Sequence, residues 1–202
     1  MFSGIGGFEL GIKKANNHCN RKQTRTYLCD DKPINCINRS NGKRGRACSN
    51  DLHCIGFSEI DKYAIQTYKK HFPNHKNFGD STKINPRELP DFDMLCGGFP
   101  CQSFSIAGKR LGFKDTRGTL FFDIARIIKV KRPQYIFLEN VKGLLSHDRG
   151  KSMERICEEL CECGYAIDFE VLNSKNFGVP QNRERVFIIG IRLDLLDSRQ
   201  IF

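Results

Sequence analysis

A cysteine in a loop held by glycine and proline is the most pointed chemical feature of this sequence. Gly97-Gly98-Phe99-Pro100-Cys101-Gln102-Ser103-Phe104-Ser105 follows a short apolar run, Asp93 to Cys96, that reads as a strand. Most cysteines are buried and serve as small apolar side chains. One placed in the loop beyond a strand end sits where α/β folds carry their reactive groups. To act as a nucleophile the thiol must ionise, and a helix N-terminus or a nearby cation promotes that.

Three further segments could act with it. Phe2-Ser3-Gly4-Ile5-Gly6-Gly7 is a glycine-rich turn leading into a short helix, Gly7 to Ala15. Glycines there let the backbone approach a ligand, although such short motifs also occur as ordinary turns. Glu59, after the apolar run Cys54 to Ser58, can take two ribose hydroxyls, or can simply stand before a helix. In Phe137-Leu138-Glu139-Asn140-Val141 an apolar strand delivers a carboxyl group. In a water-poor site such a group can hold a proton and act as an acid; in solvent it does nothing of the kind. Finally, Gly178-Val179-Pro180-Gln181-Asn182-Arg183-Glu184-Arg185 places two arginines two apart at the entry to a strand, hence on one face. They suit an anionic backbone or a loop that needs clamping, where solvated arginines are the common alternative.

The elements that must position these groups alternate. Asp61 to Phe72 reads as a helix with Ala64, Ile65, Tyr68 and Phe72 on one face, stopped by Pro73. Leu120 to Lys131 reads as a helix capped by Thr119. Ser152 to Cys163 reads as another, with Met153, Ile156, Cys157, Leu160 and Cys161 on one face and Gly164 closing it. Gln134 to Leu138, Ala166 to Leu172 and Arg185 to Ile191 read as strands, beside Cys54 to Ser58 and Asp93 to Cys96. Alternation of this kind predicts an α/β fold with a mostly parallel sheet covered on both faces. Ligands then bind beyond the carboxyl ends of the strands, so Glu59, Gly97-Gly98 and Glu139 are expected to line one crevice.

Composition narrows the partners. Lys and Arg number 33 against 23 Asp and Glu, a net charge of +10, which favours a polyanion such as nucleic acid. Asn16 to Cys54 holds eight Lys/Arg against three Asp/Glu and shows neither helical nor strand periodicity, so it reads as an irregular, basic, Cys-rich insertion. No apolar run approaches a membrane span and the N-terminus has no signal-peptide pattern. The ten cysteines are therefore read as reduced thiols of a cytoplasmic protein. The insertion contains no Cys-x-x-Cys pair, so no metal site is expected; a basic arm touching nucleic-acid phosphates fits it better.

Taken in order, these segments resemble the cytosine-C5 DNA methyltransferase family. The resemblance runs through Phe2 to Gly7, Glu59, Gly79-Asp80, Pro100-Cys101-Gln102, Arg117-Gly118-Thr119-Leu120-Phe121-Phe122, Glu139-Asn140-Val141 and Gln181 to Arg185. It covers nearly the whole chain outside Asn16 to Cys54. It implies a Rossmann-like, S-adenosylmethionine-dependent fold and methyl transfer to C5 of a flipped-out cytosine in double-stranded DNA. The setting would be restriction-modification, a phage or a mobile element. It implies Cys101 as the nucleophile adding to C6, Glu139 as the group holding N3 and the exocyclic amine, and Arg183 and Arg185 as supports of base and loop. Gln102 and Ser105 would lie in the loop that closes over DNA. For S-adenosylmethionine it implies Phe2, Gly4 and Gly6 at the methionine and adenine end, Glu59 on the ribose and Ile60 beside the adenine. Asp80 would accept from the adenine amine, with Pro100 and Leu120 on the remaining wall.

The 202 residues also depart from the family. Its first, central strand would precede Met1, and its target-recognition region, late Asn-containing segment and final helix would follow Ile191-Arg192. The expectation is a catalytic part incomplete at both ends, completed by further sequence or by a second polypeptide. Competing readings are an inactive remnant or basic nucleic-acid-binding module, and a methyltransferase acting on transfer RNA. The Pro100-to-Ser105 loop looks more like that of the DNA-modifying members.

Overall fold

The structure is a computed structural model that describes residues 53–100 and 120–196. Phe2, Gly4, Gly6, Cys101, Gln102, Ser105, the helix read over Gly7 to Ala15, the Thr119 cap and nearly all of Asn16 to Cys54 lie outside those residues. The chain divides into two units, and the described residues after Cys54 belong to one of them, residues 1–5 with 55–202.

The first helix among the described residues, α1, spans Lys62–His71. Asp61 caps it by accepting from the Ala64 amide at 2.7 Å, and Phe72, just before Pro73, ends it. Tyr68 is wholly buried and stacks on Phe57 with ring centroids 3.9 Å apart. The strand expected over Cys54 to Ser58 is reduced to one parallel bridge, Phe57 to Asn77. It pairs with the short Lys76–Phe78 stretch through Phe57 N to Lys76 O and Phe78 N to Phe57 O.

Among the described residues, four strands form the sheet: β1, Met94–Gly98; β2, Tyr135–Val141; β3, Tyr165–Asn173; and β4, Glu184–Arg192, in the order β1-β2-β4-β3. The α/β class is as the sequence implied, with mixed strand directions. β1 and β2 are parallel because helix α2, Leu120–Lys131, carries the chain back between them. The β3–β4 connection contains no such helix, only a short turn at Ser174–Phe177. β4 therefore runs antiparallel to β3 and inserts beside β2, antiparallel to it as well. Helix α3, Lys151–Glu162, precedes β3 and is closed by Gly164 in the left-handed conformation, φ 88°.

Alternation along the strands separates two faces. Leu95, Ile136, Leu138, Val186 and Ile188 are buried with Ile124, Ile127 and Ile128 of α2 and Met153, Ile156 and Leu160 of α3. Each such side chain contributes about 1.5–3 kcal/mol by leaving water. On α3 the apolar face expected from sequence is narrower than read: Cys157 is half-buried and Cys161 exposed. The opposite sheet face carries Phe137 stacked on Phe187, with centroids 5.5 Å apart, and beside them Glu139 and Arg185. Among the described residues no helix is long and apolar enough to cross a membrane.

Candidate active site

Pairing sets the position of the central carboxylate. Both β1 and β2 run further than their apolar residues suggest, so Gly97-Gly98 and Glu139 lie within the strands rather than past their ends. Gly98 pairs directly with Glu139. A Cβ on Gly98 would stand 3.2 Å from Glu139 Oε2, so glycine leaves room for the carboxylate beside the strand that leads to Cys101. From the other side Arg185 Nε meets Glu139 Oε1 at 2.9 Å. In the antiparallel register Glu139 faces Phe187, two residues from Arg185 and on the same face, which is what aims the guanidinium at the carboxylate. Both side chains are partly open to solvent, 28% for Glu139 and 22% for Arg185.

Arg183 does not share this arrangement. It precedes β4 and is exposed; its backbone N–H donates to Asn173 Oδ1 at 3.2 Å, and among the described residues its guanidinium forms no ion pair. Arg183 lies just outside β4, whereas Arg185 is within it.

A residue whose role sequence reasoning missed is Asn140. It is 2% exposed, and its Nδ2 donates to the Phe99 carbonyl at 2.7 Å while its Oδ1 accepts from the Val141 amide at 2.8 Å. Asn140 thereby ties β2 to the backbone two residues before Cys101. Phe99 is held a second time by Phe121 of α2, with ring centroids 5.3 Å apart. Replacing Asn140 with alanine is expected to destabilise the chain by about 1–2 kcal/mol, the range for losing a buried hydrogen bond. Urea unfolding would measure this, and an unchanged midpoint would show that the amide anchors nothing. A signal was available in the sequence. Ile136, Leu138 and Asn140 fall at spacings of two, which puts the amide on the buried face, where it must find partners.

A second polar cluster is built from Glu59 and Asp80. Glu59 is 8% exposed, and its Oε1 accepts from the Ile60 and Asp61 amides at 2.8 and 3.0 Å. Its Oε2 has no hydrogen-bond partner among the described residues. Asn77 joins this carboxylate to the next loop: its Oδ1 accepts from Glu59 N at 3.3 Å and Gly79 N at 2.9 Å, and its Nδ2 donates to Glu59 O at 3.1 Å. Ser58 Oγ closes the same junction by donating to Gly79 O at 2.5 Å. Gly79 takes φ 78°, a left-handed turn that glycine adopts without strain. Asp80 then caps the turn Ser81–Lys83, accepting from Thr82 N at 3.0 Å and Thr82 Oγ1 at 2.7 Å. The Thr82 hydroxyl, the Thr82 amide and the Lys83 charge hold its carboxyl below the usual carboxylate range, so it is an acceptor at neutral pH. Ser58 and Asn77 were not legible as site residues, since neither carries a pattern apart from its partners.

These groups suit an adenosine. An ionised acceptor at Asp80 matches an exocyclic amine, and a fixed carboxylate with one open oxygen at Glu59 matches vicinal hydroxyls. Ile60, 65% exposed, offers an apolar surface to a ring. Leu120 is half-buried at the start of α2, and Pro100 is exposed at the end of the segment that leads to Cys101. Of the described cysteines, Cys157 and Cys163 have thiols that burial pushes up, the opposite of what a nucleophile needs.

The described residues form an α/β fold that carries Glu139 and Arg185 on one face of its sheet. The fold superposes on a Spodoptera frugiperda DNMT2 mutant with a TM-score of 0.66 at 22% identity, covering 98% of this chain and 50% of that one. Residues 1–200 match the family model of C-5 cytosine-specific DNA methylases, and the chain belongs to that family. It is 56% identical over 150 residues to the orphan methyltransferase M.Rho11sI of Bacillus phage rho11s, covering 73% of this chain and 30% of that protein. It is 49% identical over 197 residues to the type II methyltransferase M.NgoBV of Neisseria gonorrhoeae, covering 94% and 40%. The chain thus spans well under half the length of these two relatives.

Proposed function

We propose that this chain is the catalytic part of a DNA (cytosine-5)-methyltransferase of a restriction-modification or phage system. The observation that supports it most is the seat at the end of β1 and β2. There Glu139, paired with Arg185, lies beside Gly98, three residues before Cys101, with Asn140 fixing the intervening backbone. C5 of cytosine is a poor nucleophile while its ring is aromatic. In this reading the Cys101 thiolate adds to C6 of a cytosine flipped out of the duplex, and the ring electron pair becomes available at C5. Glu139 hydrogen-bonds N3 and the exocyclic amine, holding a proton where negative charge develops. Arg185 keeps that carboxyl group oriented, and Gln102 and Ser105 belong to the loop that closes over the base. After C5 is alkylated, loss of its proton lets the C6–S bond break and returns the thiolate.

S-adenosylmethionine, when bound, supplies the methyl group as an electrophile and leaves as the neutral thioether. Glu59 would hold its ribose hydroxyls, Asp80 its adenine amine and Ile60 one face of the adenine. Pro100 and Leu120 would form the remaining wall, and Phe2, Gly4 and Gly6 the loop at the methionine end. The net charge of +10 suits a DNA partner.

Tritiated methyl transfer to duplex DNA and to transfer RNA tests the substrate. Label is expected in DNA at C5 of cytosine and at background in transfer RNA; label confined to transfer RNA would overturn the reading.

A further inference from the structure

We propose that Arg126, on the outer side of α2, is a positioning residue for adenine recognition, acting through Asp80. The proposal rests on the reading of Asp80 as the acceptor for the adenine amine. Its physical content is a brace. Arg126 Nη1 donates to the Ile84 carbonyl at 2.7 Å and Nη2 to the Ser81 carbonyl at 3.2 Å. Those two carbonyls flank the turn that Asp80 caps, and Ser81 is itself buried. Nη2 also reaches Asp123 Oδ1 at 3.4 Å, one turn earlier on the helix. Asp123 is only 18% exposed, and its carboxyl is pushed up by burial against the opposing pull of Arg126, with the Asp80 charge adding to the push. The guanidinium therefore joins the Ser81 and Ile84 carbonyls of the turn to the Asp123 carboxylate of the helix.

A planar fork suits this task. It can donate to two carbonyls in fixed directions while its charge offsets that of Asp123, which a lysine ammonium cannot do with the same geometry. The brace also has a counterpart on the same helix. Phe121, near the start of α2, is buried against Phe99 at the root of the Cys101 loop. One helix thus underlies both the backbone that leads to the nucleophile and the turn that presents Asp80, and Arg126 makes the second connection.

The test compares this chain with its Arg126→Met and Arg126→Lys variants. Binding of S-adenosylhomocysteine and of S-inosylhomocysteine, whose base lacks the exocyclic amine, is measured by calorimetry. If Arg126 acts through Asp80, the Met variant binds S-adenosylhomocysteine about tenfold more weakly, the scale of losing charge-assisted hydrogen bonds. Binding of the inosyl compound changes by less than about twofold, so discrimination between the two collapses. The Lys variant regains part of it. Equal weakening for both ligands would mean a general structural role and would overturn the proposal. Amide hydrogen exchange of Thr82, Lys83 and Ile84 in the ligand-free chain is the second readout, expected to quicken about tenfold in the Met variant as the turn loosens. Unchanged exchange would overturn the brace itself. A wild-type chain that binds neither ligand would instead overturn the cofactor reading on which the proposal rests, while the exchange result still decides whether the brace exists.

Discussion

The Cys101→Ser variant is expected to lose methyl transfer by on the order of a thousandfold or more, the scale seen when a covalent pathway loses its nucleophile. A serine hydroxyl ionises far less readily than a thiol, so little alkoxide is present to add to C6. The substitution is small and should leave the fold intact, which a thermal melt would confirm. A second measurement reads the covalent step directly. DNA carrying fluorine at C5 of cytosine can accept the thiolate and the methyl group but has no C5 proton to lose. Wild-type chain is then expected to remain attached to the DNA through denaturing electrophoresis, and the Ser variant to leave no such band. Retention of full activity in the Ser variant would falsify the covalent mechanism.

Glu139→Gln is the second large effect. The amide can still hydrogen-bond the base but cannot exchange a proton with N3, and a loss of about 10²–10⁴-fold in the single-turnover rate is expected. Arg185→Ala should cost less, since the carboxyl group remains although its 2.9 Å partner is gone. The double variant should be little worse than Glu139→Gln alone, because the two residues act as one unit. Independent, additive losses would mean that Arg185 works elsewhere, on the DNA backbone for example, and not through Glu139.

Much of this fold is legible in the sequence. Helical spacing gave α1, α2 and α3 nearly to the residue, because apolar side chains at intervals of three and four must face a core. The strand carrying Glu139 is legible from its apolar neighbours. Strand direction was less so. Alternation favoured parallel neighbours, but β4 approaches β2 from the opposite end, which depends on a connection that lacks a helix. Polar braces were hardest to read. Asn77, Asn140 and Arg126 work through partners 18, 41 and up to 45 residues away in sequence, and nothing local to an amide or a guanidinium names such partners. Arg183 lies one residue before β4, so strand alternation fixes the face of Arg185 but not that of Arg183.

The insertion of β4 between β2 and β3 also has a meaning for how the chain reaches its final state. As the protein is synthesised, β1, α2 and β2 can assemble early, but the free edge of β2 has no neighbour until Glu184–Arg192 has been made. Until then its apolar residues Ile136 and Leu138 and its unpaired backbone groups present a template to any other extended chain. Formation of the β3–β4 hairpin therefore sets when the nascent chain stops being prone to self-association. Arg185, which orients the proposed catalytic carboxylate, arrives on the same strand that closes that edge.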